Sequence, residues 1–122
     1  MPSVLPRDLQ EVLEQLGERL KDFYGERYAG LILFGSYARG DWTEHSDVDL
    51  LLLLEGEISS SREIMRAEDV IYPFALDSGH LLTLVPVSAD TFHSSDEPLL
   101  INVRSEGINL PMTKLRTKPI SL

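Results

Sequence analysis

Two short apolar runs, Leu31 to Phe34 and Leu50 to Leu54, flank a link that opens on Gly35-Ser36 and closes on Asp47-Val48-Asp49. Apolar runs of roughly four to eight residues bounded by turn residues read as strands buried on both faces. Tyr28 to Phe34 is then a central strand with helices against it, and the rest of the chain must supply its cover. Ten residues separate Gly35-Ser36 from Asp47. Asp47 and Asp49 stand two apart at the mouth of the second strand, so their side chains share one face.

Two carboxylates side by side with only Val48 between them repel each other unless a cation or a shared proton relieves the repulsion. Hard oxygen ligands suit magnesium, which takes one or two protein carboxylates and fills its shell with water and substrate phosphate. Gly35-Ser36, entering a short helix through Tyr37-Ala38-Arg39, offers the complement: backbone that phosphate can approach, an open amide and a hydroxyl. Arg39 is a further candidate for the phosphates or for an acidic group of a partner. The combination describes a site for a metal-bound nucleoside triphosphate.

Gly35-Ser36, ten residues and Asp47-x-Asp49 together resemble the signature of the DNA polymerase β-like nucleotidyltransferases. Phe-Gly-Ser-Tyr-Ala-Arg-Gly-Asp with Ser-Asp-Val-Asp-Leu is similar to the minimal nucleotidyltransferase (MNT) branch in particular. The resemblance implies a polymerase β-like core, transfer of a nucleotidyl group, AMP from ATP, and service as the antitoxin that AMPylates a HEPN-domain ribonuclease toxin. It also implies Asp47 and Asp49 as catalytic metal ligands for Mg2+, and Gly35, Ser36 and Arg39 as nucleotide-binding residues.

The 122 residues, 43% of them hydrophobic, suffice for one domain with a modest core, and we read residues 1–122 as a single unit. The absence of cysteine excludes a disulfide framework and thiolate metal sites, and fits a cytoplasmic location. No signal peptide or membrane span is visible, since Arg7, Asp8, Glu11 and Glu14 follow the amino terminus closely. A net charge of −9 argues against nucleic-acid backbones and favours a protein or small-molecule acceptor.

In chain order, Leu9, Val12, Leu13, Leu16, Leu20, Phe23 and Tyr24 fall at helical spacing between Pro6 and Gly25. Within the link, Trp42 reads as cover for the sheet edge, Asp41 and Glu44 as surface charges, and His45 receives no role. Ser60 and Glu63 form a capping-box pattern ahead of Ile64, Ala67, Ile71, Phe74 and Ala75, with Pro73 predicting a kink or an early stop near Tyr72. His80 to Val87 is a third strand, Asp90 a cap, and Glu97 to Glu106 a last short helix ended by Gly107. Lys114, Arg116 and Lys118 make a basic tail over residues 111–122. The predicted architecture is α/β: a small mixed sheet of three or four strands with helices packed on one face.

One departure from the fuller family pattern stands out. The third strand carries no acid where stronger relatives place a third carboxylate; Thr83 or Val85 occupies that face, with Asp77 and Asp90 outside it. Two function classes therefore stand: an enzyme using two aspartates on a HEPN-type partner in a hetero-oligomer, and a degenerate binding module that neutralises its partner by complex formation alone. Transfer to a small molecule is a minor third reading, since no segment is evident to enclose such a substrate.

Overall fold

The computed structural model describes residues 5–110; the basic tail at 111–122 lies outside them. Helix α1 spans Arg7–Tyr24 and strand β1 Tyr28–Phe34, joined by one 3-10 turn at Gly25–Arg27. Short helix α2 (Ser36–Arg39) leads into β2 (Val48–Leu54), and α3 (Ser60–Ser78) crosses over to β3 (Leu82–Ser88). Two short helices, α4 (Ala89–Ser94) and α5 (Pro98–Glu106), precede β4 (Ile108–Leu110).

The four strands lie in the order β3-β2-β1-β4. β1 pairs antiparallel with β2 and with β4, whereas β2 and β3 run parallel. The parallel pair requires a crossover, which α3 provides. The mixed α/β class is the expected one.

Alternation along β1 and β2 sends side chains to opposite faces of the sheet. Leu31, Leu33, Val48, Leu50, Leu52 and Leu54 join Leu9, Leu13, Leu16 and Leu20 of α1 and Ala67, Val70 and Ile71 of α3 in the larger core. Ile32, Leu51 and Leu53 face the other way, against Phe92 of α4 and Leu100 and Val103 of α5. Helices on one face is therefore correct for the two long helices but omits α4 and α5. The unbroken apolar run of β2 demanded that second layer, because a strand with polar solvent on one face alternates.

Several local expectations are corrected. Phe23 is 41% exposed, outside the buried stripe of α1, with the Arg66 guanidinium over its ring. At the start of α3 the N-cap is Ser59, which makes no side-chain cap hydrogen bond. Glu63 closes no capping box; it is 3% exposed and takes the inward position, while Ile64 turns outward. Its carboxylate accepts from Arg27 Nη1 at 3.1 Å and lies 3.8 Å from Arg66 Nη1. Of the two outcomes expected at Pro73, a kink or an early stop near Tyr72, the stop does not occur: the helix continues to Ser78 with Pro73 inside it. Pro73 and Asp69, whose carbonyl the ring leaves without its usual donor, are both on the exposed side, where water can serve that carbonyl. Ser88, not Asp90, caps α4: its hydroxyl oxygen accepts from the Thr91 amide at 3.1 Å.

Candidate functional site

β1 ends where its last residue, Phe34, pairs with Asp49 of β2. The chain must then leave the sheet at once, and Gly35 does this with φ +78° and ψ −155°, a region that disfavours any residue with a Cβ. The single turn of α2 follows, in which the Ala38 and Arg39 amides both donate to the Gly35 carbonyl at 3.0 Å. Gly40, in the left-handed conformation, closes it by donating to the Ser36 carbonyl at 2.9 Å. Below it, Tyr37 is buried and stacks on Trp42, ring centroids 5.0 Å apart. Trp42 thus packs against the core, in keeping with a structural role.

The link returns through a tight turn in which the Thr43 amide donates to Ser46 Oγ at 2.9 Å. The Val48 amide then donates to the Leu81 carbonyl, and β2 begins beside β3. His45 is turned to solvent and lies 3.7 Å from Glu44.

Asp49 alternates with Leu51 and Leu53 and so faces the α4–α5 side of the sheet. Its carboxylate lies directly over the α-carbon of Gly35: a Cβ there would collide with Asp49 Oδ2 and stand 3.2 Å from Cγ. Partial burial, and secondarily the charge of Asp47, push the Asp49 carboxyl above the usual carboxylate range, while Arg39 opposes the shift. Asp47 precedes the strand and is exposed. The two aspartates are therefore a half-buried and an exposed partner whose charges oppose each other, a donor set that a hard divalent cation would relieve.

Gly35, Ser36, Arg39 and Asp49 line one cleft of about 380 Å³. Asp47 is not among its lining residues. The far wall comes from α5, through Leu99, Asn102, Val103 and Glu106. Sequence reasoning missed this wall. Asn102 and Glu106 sit at helical spacing with Leu99, but nothing in a single sequence says that the helix crosses the motif. Arg39 bridges the two sides, its Nε donating to Asp41 Oδ2 at 3.4 Å and its Nη1 standing 3.7 Å from Glu106 Oε1.

On the neighbouring strand Thr83 is in register with Asp49. A hydroxyl, not a third carboxylate, therefore flanks the aspartates, and Asp77 and Asp90 are absent from the cleft's lining. Among the described residues no three His, Cys, Asp or Glu side chains gather as a metal cage. A cation held here would be completed by water and substrate oxygens.

A mixed sheet with a Gly-Ser turn after one strand, paired aspartates on its antiparallel neighbour and a crossover to a parallel third strand defines a nucleotidyltransferase-type core. The chain belongs to the nucleotidyltransferase domain family, whose model matches residues 13–96. Three proteins of Methanocaldococcus jannaschii, each called "Putative protein adenylyltransferase" (MJ0604, MJ1305 and MJ0141), are 46%, 44% and 38% identical to it over 44, 45 and 48 residues. These stretches cover 36%, 37% and 39% of this chain. The chain spans less than half the length of those relatives: 44%, 31% and 48% respectively.

Among solved structures, a toxin-antitoxin crystallised with AMP-PNP superposes with a TM-score of 0.58 at 19% identity, covering 83% of this chain and 71% of that one. A mutant of the toxin-antitoxin MntA-HpeT gives 0.57 at 18%, with the same coverage. At such identities the likeness establishes a shared fold. No helix among the described residues is long and apolar enough to cross a membrane.

Proposed function

We propose that this domain is a magnesium-dependent nucleotidyltransferase that moves AMP from ATP onto a hydroxyl of a HEPN-type toxin partner and so acts as an antitoxin in the cytoplasm. The observation that carries the reading is the closure of the Asp49 carboxylate on the bare α-carbon of Gly35, in one cleft with Ser36 and Arg39. The names of the curated relatives support AMP as the transferred group, and the neighbour crystallised with AMP-PNP supports an adenine nucleotide. The toxin-antitoxin neighbours support a toxin as acceptor.

In this reading the turn at Gly35 lets the triphosphate approach the backbone, and Ser36 supplies a hydroxyl and an amide. The Arg39 guanidinium pairs with phosphate oxygens, for which its planar fork is suited. Asp47 and Asp49 would hold magnesium, which would supply neutralisation of triphosphate charge and of the pyrophosphate leaving group. The acceptor hydroxyl attacks the α-phosphorus in line, its oxygen forming the new P–O bond as the bond to pyrophosphate breaks. With Thr83 beside Asp49, the proton of that hydroxyl passes to water or to a group of the partner, and transfer is slow or partner-dependent.

A protein acceptor also agrees with the outer face of α3. Met65, Tyr72 and Leu76 recur there at helical spacing and are 71%, 63% and 64% exposed, opposite the buried Ala67, Val70 and Ile71. A helix apolar on both sides has one side to offer a partner.

Thr83 favours a second reading, in which the domain neutralises its partner by binding alone. The Asp47→Asn/Asp49→Asn variant, co-expressed with the HEPN-type toxin, separates the two. Lost neutralisation with an intact complex supports chemistry; unchanged neutralisation supports sequestration and overturns the enzyme.

A further inference from the structure

The wall of the cleft that α5 supplies begins at Pro98, beyond the family-matched segment that ends at residue 96. That wall is firmly anchored. Leu100 and Val103 are buried against the sheet, and Arg104 Nη1 donates to the Phe92 carbonyl at 2.6 Å. At its end a Cβ on Gly107 would stand 2.6 Å from both Ile32 Cγ2 and the Val103 carbonyl oxygen, so the helix terminus is seated directly on β1. An anchored helix fixes where Glu106 stands.

Glu106 stands opposite Arg39, the one basic residue among the described residues that line the cleft. Their Nη1 and Oε1 atoms are 3.7 Å apart, and the two side chains are 47% and 42% exposed. An ion pair so long and so wet is weak and exchangeable. A phosphate chain offers the same guanidinium shorter, bidentate bonds, and so can displace the carboxylate. A carboxylate left at the wall then repels the anion that displaced it.

We propose that Glu106 is a specificity-determining placeholder for nucleotide phosphate: it holds Arg39 across the cleft, gives it up to the triphosphate, and sets by its charge how tightly the triphosphate binds. This rests on the nucleotide reading of the cleft. Glu106 takes no part in the chemistry at the α-phosphorus and acts through Arg39 and through charge.

The test is calorimetric titration of magnesium AMP-PNP into the wild-type chain, Glu106→Gln, Arg39→Gln and the double variant, with adenosine as a phosphate-free control. Glu106→Gln tightens AMP-PNP binding roughly threefold to tenfold, as expected for one charge removed near a polyphosphate at a wet site. The gain is smaller in the Arg39→Gln background, because the displaced contact no longer exists there, and adenosine binding is unchanged. Equal unfolding midpoints for wild type and Glu106→Gln exclude a folding effect, which the exposure of the side chain already disfavours. Unchanged or weakened AMP-PNP binding in Glu106→Gln, with the wild type binding normally, overturns the placeholder alone. Equal gains with and without Arg39 also overturn it, leaving a simple surface-charge effect. Failure of the wild type to bind AMP-PNP overturns the nucleotide reading and the placeholder with it.

Discussion

Substituting Gly35 by alanine tests the contact that defines the cleft. The backbone at φ +78° costs a residue with a Cβ about 1 to 3 kcal/mol in strain. The added methyl must also displace the Asp49 carboxylate, whose Cγ it would approach to 3.2 Å, an overpacking cost of about 1 to 3 kcal/mol. Together these come to about 2 to 6 kcal/mol, a large share of the stability of an ordinary domain. At about 2.1 cal/mol/K of unfolding entropy per residue, 122 residues lose about 4 °C of melting temperature per kcal/mol, so Gly35→Ala melts about 8 to 24 °C below wild type. Gly79, at φ +74° and ψ 6° with nothing within 4 Å of its added Cβ, gauges the milder strain of the left-handed helical region without any clash, at about 1 to 2 kcal/mol. Measured by thermal and urea unfolding, the overpacking part of the Gly35→Ala penalty disappears in an Asp49→Ala background while the strain part stays. A Gly35→Ala protein as stable as Gly79→Ala, or a penalty that Asp49→Ala does not reduce, refutes the contact.

Asp49→Asn is expected to stabilise the metal-free protein at neutral pH, because burial and then Asp47 raise the folded-state pKa of Asp49 above its unfolded value. The wild type has its full stability from this group below the unfolded pKa, about 4, and loses it as pH rises through the folded value. The urea midpoint of Asp49→Asn minus that of wild type therefore grows with pH from about 4 upward, and a flat or falling difference contradicts the assignment. Arg27→Met, which leaves the buried Glu63 carboxylate with Arg66 alone among its described ion-pair partners, costs about 3 kcal/mol in urea unfolding. Adding Glu63→Leu recovers part of that cost, since the stranded charge is then gone; a double variant less stable than Arg27→Met would refute the pairing.

What was legible in the sequence followed from periodicity and from turn chemistry. The unbroken apolar runs of β1 and β2, the amphipathic stripe of α1 and the Gly35-Ser36 turn all reported local preferences that the fold kept. The grouping of Gly35, Ser36, Arg39 and Asp49 followed because the antiparallel pairing of β1 with β2 brings the end of one strand to the start of the other. What escaped depended on the tertiary environment. Glu63 looked like a capping residue because its sequence neighbours fit one, but Arg27, thirty-six residues away, drew it inward. Pro73 pointed to a kink or an early stop, and the stop was avoided because its exposed side lets the chain continue as helix to Ser78. Asn102 and Glu106 carried no local mark of their place on the cleft, because that place is set by how Leu100, Val103 and Gly107 seat α5 on the far face of the sheet.

Nucleotide transfer by a cleft with Thr83 beside Asp49 is tested most directly by the intact mass of a toxin of the proposed HEPN type, co-purified with this protein and incubated with ATP and magnesium, alongside the same complex carrying Asp47→Asn/Asp49→Asn. A mass increase of one or more AMP units on the toxin with the wild-type chain, and none with the variant, is the expected result. An unmodified partner in both complexes, each remaining assembled, would contradict it and leave a nucleotidyltransferase fold that serves as a binding partner.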